Sequence, residues 1–476
     1  MTALALAVRW PYFHQSLFGD ELFLYLDVHG RSLGQVLSAV HDTEKTPPLG
    51  FMLAWLFARG SDATVLVRLP SVIASVATVP LLYLLGARTV GKAAGFAAAL
   101  LYALSPFAIF YGSENRAYGQ VACLVVLSTL ALVIALEDRR IRWWALYVLA
   151  TAAAVYTHYI AALVLVPQAA WALWTHRESA RQQLVAGGVV VLLFVPWLPF
   201  FVTQARHSGA EARRLATLLP LTSSSFVKTP LKALAGHPFA ALAQVPGKAP
   251  LALFGVAVLG LAVAAAADVL QRHRVARPSL AAPGVLLALL AVFPLVALAL
   301  YSLRPHTSFY VTRNLAVAVP YALLLIGWLI AYARRRAVLL PLSLLAVACM
   351  AVGTAKALSP DRQRPDARGV TRYIAAHAPP GAPVIDEEFP FTGSPSRAVR
   401  VYLPRSRPVY GTAQFSPAAW RAAFRNKTPV FIVSRRIDVL LRLLVPPKQG
   451  TSRFGLVASH TTRGFIQYAV REFAPR

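Results

Sequence analysis

The chain has 476 residues, of which 57% are hydrophobic and 14% are charged. A soluble domain carries about a quarter charged residues, so this composition excludes an ordinary soluble protein. The net charge of +28 comes from basic residues between long apolar segments. That placement argues against nucleic-acid binding and favours contact with anionic lipid headgroups. Cys123 and Cys349 both lie in apolar segments, which excludes a disulfide framework.

Apolar segments recur along the chain at lengths near the roughly 20 residues that a membrane-spanning helix needs. A short stub at 1–13 comes first, and a missing N-terminal stretch would explain its length. The predicted full spans are 64–86, 93–111, 119–136, 143–158, 160–174, 184–202, 251–269, 281–301, 315–332 and 337–356. The fold class predicted is mainly α, a polytopic helical bundle of about 10–11 spans.

Every second loop between these spans is short and basic, which is typical of cytoplasmic loops. The residues concerned are Arg88, Lys92, Arg139, Arg140, Arg142, Arg177, Arg181, Arg272, Arg274, Arg277, Arg334, Arg335 and Arg336. The pattern predicts a cytoplasmic N-terminus and places the intervening polar loops outside the cytoplasm, together with the region after residue 356.

The region after the last span mixes short apolar strings with turn residues. The strings are 383–385, 429–433 and 454–457, and a helical pattern at 366–378 precedes them. This mixture predicts a small α/β domain. We therefore expect a transmembrane domain at 1–356 and an extracytoplasmic domain at 357–476.

An acidic pair, Asp20-Glu21, follows the first apolar segment in a chain with only 19 acidic residues. A carboxylate at a surface that attracts anionic lipid indicates a general base acting on a phosphate-linked substrate. One carboxylate would remove a hydroxyl proton, while the other orients it or binds a cation. The alternative is a solvated loop or a helix start, where acidic residues are favoured.

Two later segments on the same predicted side also carry polar residues. Lys45 precedes the rigid pair 47–48, both proline, which would present its ammonium group to a phosphate. An ordinary turn with an interfacial lysine is the alternative. Glu114, Arg116 and Tyr118 lie between two spans with almost no loop. Charges this close to the membrane are costly unless they are paired or hydrated, so the segment favours function.

His158 and Tyr159 end another predicted span on that side, and Arg313 flanks a later turn. A histidine at a helix end is commonly a polar cap or an interfacial residue. Arginine suits phosphate because its planar fork donates two hydrogen bonds at once. An interfacial arginine that extends to the headgroups is the equal alternative.

Nucleotide-binding and zinc motifs are absent from the sequence, as is the nucleophile elbow of the hydrolases. An enzyme without a nucleotide site that works outside the cytoplasm needs an activated donor already carried in the membrane. The polar residues described above would therefore act on a lipid-linked substrate.

Five motifs in one order resemble a known family, the bacterial family-39-type, or dolichyl-phosphate-mannose protein mannosyltransferase-like, membrane glycosyltransferases. The motifs are Asp20-Glu21, Thr46-Pro-Pro-Leu49, Arg68-Leu-Pro-Ser71, Glu114-Asn-Arg-Ala-Tyr118 and Thr157-His-Tyr159. The resemblance covers residues 14–200 well and 203–476 in outline.

The resemblance implies a GT-C fold in a bacterial plasma membrane and transfer of a sugar from a polyprenyl-phosphate donor to an extracytoplasmic envelope acceptor, with inversion. Asp20 is then the expected base with Glu21 beside it, and Lys45, Arg116 and Arg313 are candidates to bind the carrier phosphate. The substrate candidates are Glu114, Tyr118, His158 and Tyr159. The sugar, the acceptor and the binding of a divalent metal stay open.

Two other functions compete with the enzyme. A flippase for a lipid-linked sugar is expected to have charged residues at mid-membrane and paired broken helices, whereas here the charges gather at one surface. A non-catalytic envelope scaffold would be expected to lack the acidic pair. A ligase that uses a diphosphate-linked glycan is closer in chemistry.

Overall fold

The computed structural model describes residues 1–60, 62–207, 209–272, 283–332, 336–387, 398–411, 423–425, 428–436 and 454–475. Of the predicted cytoplasmic arginines, Arg274, Arg277, Arg334 and Arg335 lie outside these residues. Two compact units can be distinguished. The first contains Met1–Phe13 and Asp27–Ala357, and the second contains His14–Leu26 and Leu358–Arg476.

Helices dominate the chain as far as Ala357. They are α1 Thr2–Phe13, α2 Asp20–Val28, α3 Leu33–Thr43, α4 Leu49–Phe57, α5 Ala63–Leu66, α6 Leu69–Thr89, α7 Lys92–Leu104, α8 Pro106–Gly112, α9 Tyr118–Asp138, α10 Ile141–Thr157, α11 Ala162–Thr175, α12 Ala180–Phe194, α13 Leu198–His207, α14 Gly209–Leu218, α15 Ser223–Ala235, α16 Lys248–Arg272, α17 Pro283–Ser302, α18 Val319–Tyr332 and α19 Arg336–Ala357. Short 3₁₀ helices include Tyr159–Ala161 and Thr312–Val317.

Each predicted full span corresponds to helical structure. Among the described residues, six helices are long and apolar enough to cross a membrane, and seven if a bent pair counts as one. The shorter apolar helices Tyr159–Thr175 and Val319–Ala331 account for two further predicted spans. The mainly helical, polytopic class is confirmed.

The bent pair is α7 and α8, whose axes differ by 65°. Pro106 cannot continue the helix that precedes it, because it lacks a backbone N–H and clashes with the preceding turn. Ser105 starts the new helix, since its side chain accepts a hydrogen bond from the Ala108 backbone N–H at 3.3 Å. The bend sets the direction of α8, which ends at Gly112, just before the Glu114–Tyr118 segment.

The second unit is a small α/β domain, as predicted. Its helices are α20 Ala367–His377 and α21 Ala398–Tyr402, and its strands are β1 Val384–Glu387, β2 Val409–Gly411, β3 Val430–Arg436, β4 Phe454–Thr461 and β5 Gln467–Pro475. The sheet order is β2-β1-β3-β5-β4. β1 is parallel to β2 and β3, and β5 is antiparallel to β3 and β4.

Side chains from several strands form the core of the sheet. Ile385, Ile432, Phe454 and Phe473 are buried together. In β3 the four consecutive residues Val430–Val433 are all buried, which fits a central strand covered on both faces. This packing gives the second unit a hydrophobic core of its own.

Candidate functional site

A tight turn between α8 and α9 presents the Glu114–Tyr118 motif. Gly112 and Gly119 flank it, and a Cβ added at Gly119 would lie 3.0 Å from the Gly112 Cα. A Cβ at Gly112 would collide with the Ser75 hydroxyl. Only glycine permits this approach of the helices. The turn is also fixed by the Ser71 hydroxyl, which donates to the Arg116 carbonyl at 3.1 Å.

Arg116 extends from this turn to Glu44, in the loop after α3. The Arg116 Nη2 lies 3.4 Å from the Glu44 Oε2, and each side chain is only 12% exposed. The guanidinium also lies 5.8 Å from the centre of the Phe51 ring. A half-buried ion pair with an aromatic face holds a guanidinium in a defined position. Lys45 follows Glu44 and is exposed.

Asp27, near the end of α2, belongs to the same cluster, although the sequence analysis did not select it. Burial raises the pKa of its carboxyl group to about 6, and the charge of Glu44 adds to this, while Arg31 and Arg116 oppose it. The Arg31 Nη2 lies 3.9 Å from the Asp27 Oδ1. Asp27 lies seven residues after Asp20, which is about two helical turns. This spacing could have identified Asp27 as a candidate site residue from the sequence.

His158, between α10 and the 3₁₀ helix Tyr159–Ala161, lies within electrostatic range of both Arg116 and Arg313. Burial, and then the positive charges of Arg116 and Arg313, lower the pKa of His158 to about 3. The imidazole is therefore neutral at physiological pH. Its Nδ1 accepts a hydrogen bond from the Ile160 backbone N–H at 3.2 Å, so the proton resides on Nε2. Burial and the positive charges of two arginines thus keep the His158 ring neutral, and its Nε2–H can donate a hydrogen bond.

One aromatic ring, that of Tyr118, lies against His158. The Tyr118 ring lies 5.4 Å from the His158 ring and 5.1 Å from that of Tyr111. Tyr159 is placed differently, because its hydroxyl donates to Gln204 at 2.6 Å and accepts from Trp197 at 2.9 Å. The hydroxyl of Tyr159 is thus held by two polar side chains, while Tyr118 lies beside the histidine.

Glu114 and Asn115 are buried in the turn, with 7% and 1% of their surface exposed. Polar side chains buried this far are stable only with hydrogen-bonding or charged neighbours. The first unit contains several of the site residues predicted from the sequence, and they lie within or next to the cluster. They are Glu114, Arg116, Tyr118, His158 and Arg313.

The acidic pair lies in the second unit. Gly19, with a φ of +58°, precedes α2, and Asp20 and Glu21 form the first turn of this helix. Glu21 is fully buried, and its Oε2 lies 3.3 Å from the Nε of the equally buried Arg364. The Glu21 carboxylate also accepts the Phe18 backbone N–H at 3.2 Å. Asp20 is half-buried, so of the two it is the more accessible carboxylate.

In the part of the chain that the structure describes, no group of three or more His, Cys, Asp or Glu side chains is arranged to hold a metal ion.

Comparison with solved structures defines the class of fold. ArnT from Cupriavidus metallidurans bound to undecaprenyl phosphate is similar, with a TM-score of 0.58 and 14% identity over 98% of this chain and 96% of that one. The Archaeoglobus fulgidus oligosaccharyltransferase tethered with an acceptor peptide gives a TM-score of 0.51 and 12% identity over 91% and 68%. The fold is that of the GT-C membrane glycosyltransferases.

Residues 45–200 match the family described as dolichyl-phosphate-mannose-protein mannosyltransferase. The resemblance inferred from the motifs is thereby confirmed, since this range contains the Thr46-Pro-Pro-Leu49, Glu114–Tyr118 and Thr157–Tyr159 segments. A sequence search of curated proteins gives no match.

Proposed function

We propose that the chain transfers a sugar from a polyprenyl-phosphate donor to a hydroxyl group of an envelope acceptor. The observation that carries this proposal is that the positive charges of both Arg116 and Arg313 act on the buried, neutral His158. Two guanidinium groups and one N–H donor form a suitable site for a phosphate group. The match of residues 45–200 to the mannosyltransferase family supports it. So does the similar fold of ArnT, which was solved with undecaprenyl phosphate.

The reaction would be a single displacement at the anomeric carbon, with inversion. Asp20 is the proposed general base that removes the proton of the acceptor hydroxyl as the new C–O bond forms. The bond between the anomeric carbon and the phosphate oxygen breaks, and the carrier leaves as a phosphate monoester. Arg116 and Arg313 stabilise the charge on that phosphate, with Lys45 as a third cation. A phosphate leaves without protonation, so no strong general acid is needed.

The other candidates have different proposed roles. Tyr118 and Glu114 bind the sugar beside His158, because an aromatic ring and a carboxylate are common sugar-binding partners. Glu21 holds Asp20 in place through its ion pair with Arg364. The proposed location is a bacterial plasma membrane, with the N-terminus in the cytoplasm and the second unit outside.

Glycan analysis of a strain that lacks this protein tests the proposal. Mass spectrometry of envelope glycans, lipids and glycoproteins should show the loss of one sugar modification, restored by the wild-type gene but not by the Asp20→Asn gene. Restoration by Asp20→Asn would contradict catalysis and would favour a flippase or scaffold role.

A further inference from the structure

A cavity of about 690 Å³ lies in the first unit, lined by α15, the turn that follows it and residues 310–312. Its volume is in the range of ligand-binding pockets. Arg116, His158 and Arg313 are not among the residues that line it. The lining of the cavity is therefore distinct from the residues of the arginine cluster, which lies in the same unit.

Three lysines line this cavity. Lys228 and Lys232 are four positions apart on α15, so they lie one turn apart on the same helix face. Lys248, the first residue of α16, lines the cavity from a different element. The cavity thus collects positive charge from two helices.

The sequence segments around this cavity carry no carboxylate. The sequence contains no Asp or Glu at 212–267 or at 269–360, which are the segments that form the walls. Among the described residues, none of the three ammonium groups is paired with a carboxylate. The Lys232 Nζ instead donates to the Pro238 carbonyl at 3.3 Å, and burial lowers the pKa of Lys232. Lys228 and Lys248 are exposed and Lys232 is half-buried, so the group is accessible to an incoming anion, whose charge would reduce the mutual repulsion of the lysines.

The remaining lining has two parts, polar residues and apolar residues. Thr222 and Ser225 cap the N-terminus of α15, which adds partial positive charge beside the lysines. Leu219, Leu242 and Val311 supply apolar surface. A ligand that matches both parts has an anionic head and an apolar body.

We infer that this cavity binds the phosphate or carboxylate headgroup of an anionic amphiphile as the second substrate of the enzyme. The assignment as acceptor depends on the proposed function, whereas the binding itself does not. A polyprenyl-phosphate sugar carries one phosphate group, which the proposed function places at Arg116 and Arg313. A second cationic site therefore suits a second anionic molecule.

Binding of dodecyl phosphate to the purified full-length chain tests the inference without any turnover. Titration in a nonionic detergent, followed by native mass spectrometry, gives the dissociation constant. Lys228→Gln, Lys232→Gln and Lys248→Gln should each weaken binding about 10- to 100-fold, the usual loss for a charge-assisted contact. Lys232→Arg should retain binding. Lys92→Gln, at the exposed first position of α7, is the matched control and should bind like the wild type.

Binding measurements with further variants and further ligands identify the site and the chemistry of the ligand. The wild type should bind two dodecyl phosphate molecules, one at each anion site, so Arg116→Gln should weaken one binding event and the lysine variants the other. Loss of the same binding event in both kinds of variant would overturn the claim of two anion sites. Inorganic phosphate that bound as tightly as dodecyl phosphate would overturn the amphiphile and indicate a soluble anion. Dodecanol of equal affinity would overturn the role of the charge. Wild-type binding by the triple lysine variant would overturn the inference outright. A chain that binds dodecyl phosphate but consumes no lipid-linked sugar would refute only the proposed function.

Discussion

Arg116→Gln should weaken use of a lipid-linked sugar donor by about 10- to 100-fold. The estimate follows from the loss of a charge-assisted phosphate contact, which contributes about 1.5–3 kcal/mol. The structure adds a second effect, because Arg116 also pairs with Glu44 at 3.4 Å in a site where both side chains are 12% exposed. Removing one member of a buried pair costs about 3–5 kcal/mol of stability, and partial exposure reduces this to about 1–3 kcal/mol here.

A double variant separates the two effects. Glu44→Gln removes the carboxylate and should keep most donor use, because the guanidinium remains. The Glu44→Gln/Arg116→Gln protein has no unpaired carboxylate at position 44. It should therefore be more thermally stable than Arg116→Gln, and closer to the wild type. Its donor use should nevertheless stay as low as that of Arg116→Gln.

The assay combines two measurements on the purified protein in detergent. Thermal unfolding gives the stability of each variant, and release of polyprenyl phosphate from a synthetic sugar donor gives its donor use across a range of donor concentrations. If the double variant regained wild-type donor use, Arg116 would act only as the partner of Glu44. The reasoning about the carrier phosphate would then be refuted.

Glu21→Gln should lower the unfolding temperature, because it breaks a fully buried ion pair with Arg364; an unchanged unfolding temperature would argue against that pair. The pKa of Asp27 is raised from 3.8 to about 6, so its contribution to stability is complete below about pH 4 and is lost as the pH rises through about 6. Asp27→Asn should therefore flatten the fall in unfolding temperature across that window, and an identical fall in both proteins would contradict the shift. A C-terminal phosphatase fusion should be active and a C-terminal fluorescent-protein fusion dark, and the reverse would overturn the predicted topology.

Periodicity and composition predicted much of the fold. Every predicted full span coincides with helical structure, because a membrane-spanning helix needs a continuous apolar segment that is visible locally. The strings at 383–385, 429–433 and 454–457 became β1, β3 and β4. β5, Gln467–Pro475, was not predicted, and its short apolar string at 468–470 was a usable signal.

Contacts between distant residues could not be read from the sequence. Residues 14–26 belong to the second unit because Glu21 pairs with Arg364 and the Leu17 backbone N–H donates to the Tyr402 hydroxyl at 2.7 Å. These partners are more than 300 residues apart in the chain. The role of Asp27 likewise depends on Glu44 and Arg116, which only the fold brings close.

The most direct test of the account is donor turnover by the Asp20→Asn protein. Asn has the shape of Asp but cannot accept the acceptor proton, and Asp20 lies half-buried at the start of α2 rather than in the buried ion pair that Glu21 forms. Purified wild-type and Asp20→Asn proteins would receive a labelled synthetic polyprenyl-phosphate sugar and membranes from a strain that lacks the protein. The account predicts release of polyprenyl phosphate and labelling of an acceptor by the wild type, and no transfer above background by Asp20→Asn at an unchanged unfolding temperature. Near-normal transfer by Asp20→Asn would contradict it.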